Sequence, residues 1–203
     1  MIAFMLILAA SGSVVLGILV LSRGWRFPLN ILAASINACV AIWSLGILLF
    51  LQTSDPTVAL VSAKGYYIAS ALFVALLTIF STVFPAGQRP LRKYTILVAL
   101  IAVAMFLLLL VPSFVTTHII LKPGGHNFIR VEPLSYVAFC TYFVIFFSAG
   151  FTIMVRKFYA FKHKARAQAG SFLFGLVAMS APGFITNLYL PFFGVYDYIW
   201  VGP

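Results

Sequence analysis

The stretch Tyr94-Thr95-Ile96-Leu97-Val98-Ala99-Leu100-Ile101-Ala102-Val103-Ala104-Met105-Phe106-Leu107-Leu108-Leu109-Leu110-Val111 contains no charge and no proline. Arg92-Lys93 stand directly before it and Pro112 directly after. About 20 apolar residues in a helix cross a ~30 Å hydrocarbon core. A helix also satisfies its own backbone N–H and C=O groups where no water can. The run, taken on to Val115, predicts a transmembrane helix.

The same pattern recurs on both sides, at 2–21, 29–51, 65–84, 133–155 and 169–190. The composition agrees: 64% of the 203 residues are hydrophobic and only 8% charged, with a mean hydropathy of +1.13. Soluble domains carry about 25% charged residues, so a soluble enzyme, a disordered chain and a disulfide scaffold are excluded. The first segment lacks a basic leader region and a small-residue cleavage site, and reads as a span rather than a removed signal. The expected fold is an all-α polytopic bundle of six transmembrane helices forming a single domain over 1–203. Residues 191–203 are expected to be the interfacial start of a missing seventh helix, since Phe192, Phe193, Tyr196, Tyr198 and Trp200 crowd there.

Charge alternates between the connections. Arg23 and Arg26, then Arg89, Arg92 and Lys93, then Arg156, Lys157, Lys162, Lys164 and Arg166 place ten basic and no acidic residues on one side. Lys64, Lys122 and Arg130 lie on the other, with all three acids, Asp55, Glu132 and Asp197. The positive-inside rule then puts the basic loops in the cytoplasm and the N-terminus outside the cell membrane. It also accounts for the net charge of +10 without nucleic acid as a partner. The bilayer is the expected partner, with anionic lipid head groups at the basic loops, His163 among them.

The second outer connection differs from the rest. Thr116-Thr117-His118-Ile119-Ile120-Leu121 and His126-Asn127-Phe128-Ile129-Arg130-Val131 flank Lys122-Pro123-Gly124-Gly125. Two β-prone runs around a Pro-Gly-Gly turn predict a short hairpin over 116–131, which must pack on helix ends to be stable.

No Asp, Glu, Lys, Arg or His falls in the middle of a span. Charge relays, ion-coupled carriers and retinal Schiff bases need such residues, so none of these functions is expected. No catalytic constellation and no cofactor are expected either. His118, His126 and Glu132 do not make a convergent ligand set, and no metal site is expected. Cys39 and Cys140 each sit inside an apolar run and read as buried thiols.

The interior polar residues are neutral. Asn30, Asn37 and Ser44 recur every seven residues on the second span, and Asn187 lies near the outer end of the sixth. Two readings stand: amides that hold helices together by cross-helix hydrogen bonds, or a small cavity lined by Asn37, Trp43 and Asn187 that takes a polar ligand. Ala34/Ala38, Ala71/Ala75 and Ser171/Gly175 are small-xxx-small pairs suited to close helix approach. Pro182-Gly183 interrupts the sixth span and predicts a kink and hinge near 179–183.

Several of these residues form one ordered pattern: Ala41-Ile42-Trp43, Phe80 to Phe84-Pro85, Arg166-Ala167-Gln168, Thr186-Asn187-Leu188-Tyr189-Leu190-Pro191, and Val201-Gly202-Pro203. It resembles the N-terminal seven-transmembrane region of bacterial and archaeal histidine kinases and related signalling proteins. The resemblance implies a membrane-embedded sensory input module of a two-component system. It implies a cytoplasmic output domain or a homodimer partner, and no enzymatic activity in this chain. A small-molecule transporter or a structural subunit of a membrane complex is the alternative expectation.

Overall fold

The structure, a computed structural model, describes residues 2–85, 92–120, 127–195 and 197–203. Six long helices carry the fold: α1 Ile2–Ser22, α2 Pro28–Gln52, α3 Pro56–Val83, α4 Arg92–Leu110, α5 Pro133–Ala160 and α6 His163–Phe184. The last continues through a π-helical turn, Ile185–Tyr189, into Leu190–Phe192. All six are long and apolar enough to cross a membrane, so this is a multi-pass membrane protein.

The strands β1 Thr116–Ile120 and β2 Phe128–Val131 pair antiparallel, with Ile119 opposite Ile129 and an irregularity between Thr116 and His118. The predicted hairpin is therefore present. Its Lys122–Gly125 turn and His126 lie outside the described residues. Glu132 N–H donates to Val115 O at 3.1 Å, and Val115 and Ile129 are buried.

Local chemistry sets the helix starts. Proline stands at the start of α2, α3 and α5, where its missing N–H loses nothing and its fixed φ suits the helix. Asp55 accepts from Thr57 N at 2.7 Å and Val58 N at 3.1 Å. This cap begins α3 at Pro56, ahead of the expected Gly65. Glu132 caps α5 in the same way, accepting from Ser135 N at 2.6 Å. Hydrogen bonding to Ser135 holds the Glu132 carboxyl below its ordinary pKa. α4 ends at Leu110 rather than Val115, because Pro112 follows.

Three helix C-termini are closed by side chains from elsewhere. Lys64 of α3 donates to Leu110 O and Val111 O, at 3.1 and 3.3 Å. The Asn127 amide donates to Phe50 O at 2.8 Å and Thr53 O at 2.7 Å. Lys157 of α5 donates to Thr82 O and Phe84 O, both at 2.6 Å. The last carbonyls of a helix lack partners within it, and at a membrane edge donors are scarce. These bonds also sort the helix ends into two sets, a hairpin end and a basic end.

α3 is the central helix. Of its span window 67% is buried, against 17% for α1 and 22% for α4. It packs against α2, α4 and α5, while α1 packs on α2 and α6 on α5. Small residues and shared hydrogen bonds set the closest approaches. A Cβ at Gly46 would lie 3.0 Å from Tyr66 Cβ and 3.2 Å from Ser62 O. The Thr78 hydroxyl joins α3 to α5 by donation to Phe146 O, at 2.7 Å, with Val74 O also within 2.8 Å. Of the predicted small-residue pairs, Ala71 and Ala75 are buried on α3. Ala34 faces Gly17 of α1, whose Cβ would sit 3.7 Å from Ala34 O. Gly175 has open space around it: among the described residues nothing lies within 4 Å of a Cβ built there. Cys39 and Cys140 are free thiols.

Candidate functional site: an aromatic cavity closed by Asn187

A cavity of about 70 Å³ opens between α2, α3, α5 and α6. α2 contributes Val40 and Trp43; α3 contributes Tyr66, Tyr67, Ser70 and Phe73. Phe139, Phe143 and Phe147 come from α5, and Leu176, Ser180, Gly183, Phe184 and Asn187 are among those from α6. Each set follows helical spacing, so one face of each helix meets the others here. The rings interlock edge to face: Tyr67 on Phe139 at 5.1 Å, and Phe147 on Phe184 at 5.0 Å between centroids. Trp43 packs against Phe73 at 6.0 Å.

The polar groups of the wall are few and neutral. The Ser70 hydroxyl donates to Tyr67 O at 2.9 Å, and the Ser180 hydroxyl to Val177 O at 3.3 Å. No carboxylate, amine, imidazole or thiol is among the lining residues. The arrangement offers a largely apolar surface for binding, with the hydroxyls of Tyr66, Tyr67, Ser70 and Ser180 and the Asn187 amide as its polar groups.

At the hairpin end the cavity is closed by a turn of the chain itself. After α6 the backbone reverses at Gly194, whose φ of 76° suits glycine. It returns through a 3₁₀ turn, Ile199–Val201. Ile199 is 1% exposed, and Gly202 and Pro203 form part of the cavity wall. Asn187 holds this turn: its amide nitrogen donates to Ile199 O at 3.0 Å. Its oxygen accepts from Gly202 N at 3.1 Å and from the Thr186 hydroxyl at 2.9 Å. A Cβ on Gly202 would overlap the Asn187 carboxamide, so the amide can hold this position only against glycine.

The π-helical turn begins three residues after Pro182, beyond the 179–183 region expected to kink. Proline has no N–H to give the preceding turn. The Thr186 hydroxyl oxygen also lies 3.0 Å from Pro182 O, and Leu190 N–H reaches back five residues to Ile185 O. A wide turn leaves carbonyls exposed, and the Tyr136 hydroxyl of α5 lies 3.0 Å from Leu188 O and 3.2 Å from Asn187 O. π-turns occur frequently at functional sites.

Of the candidate ligand-binding residues, Trp43 and Asn187 line this one cavity. Asn37 lies elsewhere. Its amide donates to Ala33 O at 2.8 Å on its own helix, and its Cβ faces Gly17 of α1. Of the hinge pair, Gly183 lines the cavity and Pro182 does not. Tyr67, Ser70 and Tyr136 escaped the sequence reading, and Gly202 entered it only as part of the Val201-Gly202-Pro203 pattern. The four-residue spacing of Phe139, Phe143 and Phe147 was the available signal, since it draws an aromatic stripe down one face of α5.

The fold and cavity define a class: a multi-pass membrane protein whose described residues hold six membrane-spanning helices and a neutral aromatic pocket between four of them. The chain belongs to the family described as the N-terminal 7TM region of histidine kinase, whose model matches residues 5–201. No curated protein matches the chain at a significant level.

Proposed function

We propose that this chain is the sensory input module of a histidine kinase, with the aromatic cavity as the place where the stimulus acts. The observation that carries this reading is the junction at Asn187. One side chain joins the π-turn of α6, the returning segment and the cavity wall, so a change in any one is felt by the others. A ligand shifts such a two-state system only by its difference in affinity for the two packings. In a chain that continues past Pro203, the next helix would start at the cavity wall and run back toward the basic end. That end would face the cytoplasm and carry the output domain, on the same chain or on a partner. The basic loops would rest on anionic lipid head groups.

Orientation is tested by single cysteines. A cysteine placed at Arg92 or Lys162 is expected to resist a membrane-impermeant thiol reagent in intact cells, and one at Gly125 to react. Labelling at the basic positions would overturn the arrangement, which follows from the ten-to-three charge bias.

The relay is tested by Pro182→Ala in the chain joined to its kinase. Restoring an N–H at this position lets the helix close the hydrogen bond that proline forfeits and removes the reason for the wide turn. Signalling per folded molecule is expected to lock in one state at near-normal abundance. An unchanged stimulus–response curve per molecule would remove the α6 turn from the mechanism.

A further inference from the structure

A second site lies on the outside of the helix pair α5–α6, turned away from the aromatic cavity. We propose that it holds one phospholipid of the leaflet at the hairpin end, with its phosphate on Arg130 and one acyl chain along α5. This goes beyond the assignment of the cavity and does not depend on it.

Two open grooves meet there, of about 400 and 490 Å³. The first is lined by Ile120, Arg130 and Val131 of the hairpin, with Pro133, Pro191 and Gly194. The second runs from Val137 to Ile145 on α5, against Leu188 and Tyr189 of the π-turn. Phe192 lines both, so they form one track. The chemistry along it follows the order of a phospholipid. First comes the exposed guanidinium of Arg130, whose five N–H donors outnumber any one partner and whose planar fork matches a phosphate. Glu132, the nearest acid in sequence, is engaged with Ser135 N–H. Next comes an aromatic collar: Tyr136 stacks on Phe192 at 6.2 Å, and Tyr189 tilts on Phe193 at 5.0 Å. Such rings favour the membrane–water interface. Last come Val137, Val144 and Ile145, 48%, 43% and 59% exposed. A helix rises about 12 Å over these eight steps, most of the depth of one leaflet of a ~30 Å hydrocarbon core. The walls are membrane-spanning helices, so the occupant comes from the bilayer. The chain leaves Pro203 on the other side: Gly202 and Pro203 stand at the cavity with Phe139, Phe143 and Phe147. Helical spacing puts Val137, Thr141 and Val144 on a different face of α5 from those rings.

The test places the chain in bilayer nanodiscs doped with a phosphatidylglycerol that carries a photoreactive diazirine within one acyl chain. On illumination, crosslinks are expected to concentrate in residues 136–145 and 188–193. Unlabelled phosphatidylglycerol should displace the probe. Diacylglycerol, which has the tails without the phosphate, should do so roughly tenfold more weakly, the effect of one hydrogen bond to a charged group. Arg130→Gln should erase that difference. Inorganic phosphate, a head group without a tail, should not displace the probe. Val144→Trp, which fills the groove on α5, should remove these crosslinks. Leu100→Trp is the control: Leu100 is 63% exposed on α4, away from the groove, and the crosslinks should persist.

Crosslinks spread over every bilayer-facing helix in proportion to exposure would overturn the proposal, since the lipid would then be only solvent. Equal displacement by diacylglycerol would do the same, as would displacement by inorganic phosphate, which would make Arg130 a site for a free anion. Cys140 lines the groove and supplies a further check. A disulfide between the Cys140 residues of two copies, formed on mild oxidation of the Cys39→Ala chain, would show the groove covered by protein and overturn the lipid. Leu188 and Tyr189 belong to the π-turn, so the bound chain props the relay proposed above; that consequence alone rests on the sensor reading. Failure of localised crosslinking, with Pro182→Ala still altering output, discards the lipid and keeps the sensor. Localised crosslinking with Pro182→Ala silent keeps the lipid site and discards the relay.

Discussion

Gly46→Leu is expected to destabilise the bundle by about 3 kcal/mol, at the upper end of what overpacking usually costs. The reason is that α2 and α3 meet backbone to backbone there. A Cβ at Gly46 would stand 3.2 Å from Ser62 O and from Tyr66 N, and 3.0 Å from Tyr66 Cβ. None of these atoms is the free end of a flexible side chain, so the helices themselves must part. Tyr66 is 3% exposed and packs edge-on against Phe50 and at a tilt against Tyr67, which carries the displacement into the cavity wall. On the scaling for soluble domains, the midpoint of thermal unfolding in detergent should fall by about 6–12 °C. Gly12→Leu is the control, since nothing lies within 4 Å of a Cβ there. It should be neutral or slightly stabilising, because leucine is the better helix former. Equal effects at the two glycines would show that α2 and α3 do not approach this closely.

The second large effect is expected at Gly202. Gly202→Ala places a methyl where the Asn187 carboxamide sits, and the amide must leave Ile199 O and Gly202 N, now 3.0 and 3.1 Å away. Two net hydrogen bonds amount to about 2 kcal/mol. That corresponds to a loss of hydrogen-exchange protection of about thirtyfold at the Ile199–Val201 turn. Asn187→Ala alone should loosen the same turn, since the same bonds are lost. Because the alanine side chain leaves room for the new methyl, adding Gly202→Ala to it should change little. Residues that share one interaction are non-additive in this way. Fully additive losses would mean that Asn187 and Gly202 act independently, and the closure of the cavity by this pair would be wrong. In the kinase-linked chain, both single variants should also weaken the response to stimulus, which ties the packing result to the proposed relay.

Membrane crossing, the two-sided distribution of charge and the hairpin were legible residue by residue. Each depends on local chemistry. An uncharged run such as 94–111 has one stable conformation in lipid, arginines at 23 and 26 or lysines at 162 and 164 resist transfer, and the β-prone runs 116–120 and 128–131 are close enough in sequence to pair. The neutral interior followed from the same inspection, since a missing charge needs no geometry to be noticed.

What lay beyond reach were the meetings between elements. α1 is apolar on every face, so periodicity cannot tell its lipid side from its α2 side; lipid tails and neighbouring helices demand the same residue types. Asn37 and Asn187 look alike as neutral amides in apolar helices. Packing sends one to Ala33 O on its own helix and the other into the bracket that holds Ile199 and Gly202. Lys64, Asn127 and Lys157 read as loop-edge polar residues, yet each closes the end of a helix far away in sequence. Composition and charge order determine that the chain crosses the membrane and which ends share a side, because the bilayer tests each segment separately. Which aromatic faces enclose a cavity, and which amide closes it, depends on helix rotation and depth, and those are decided only when α2, α3, α5 and α6 pack.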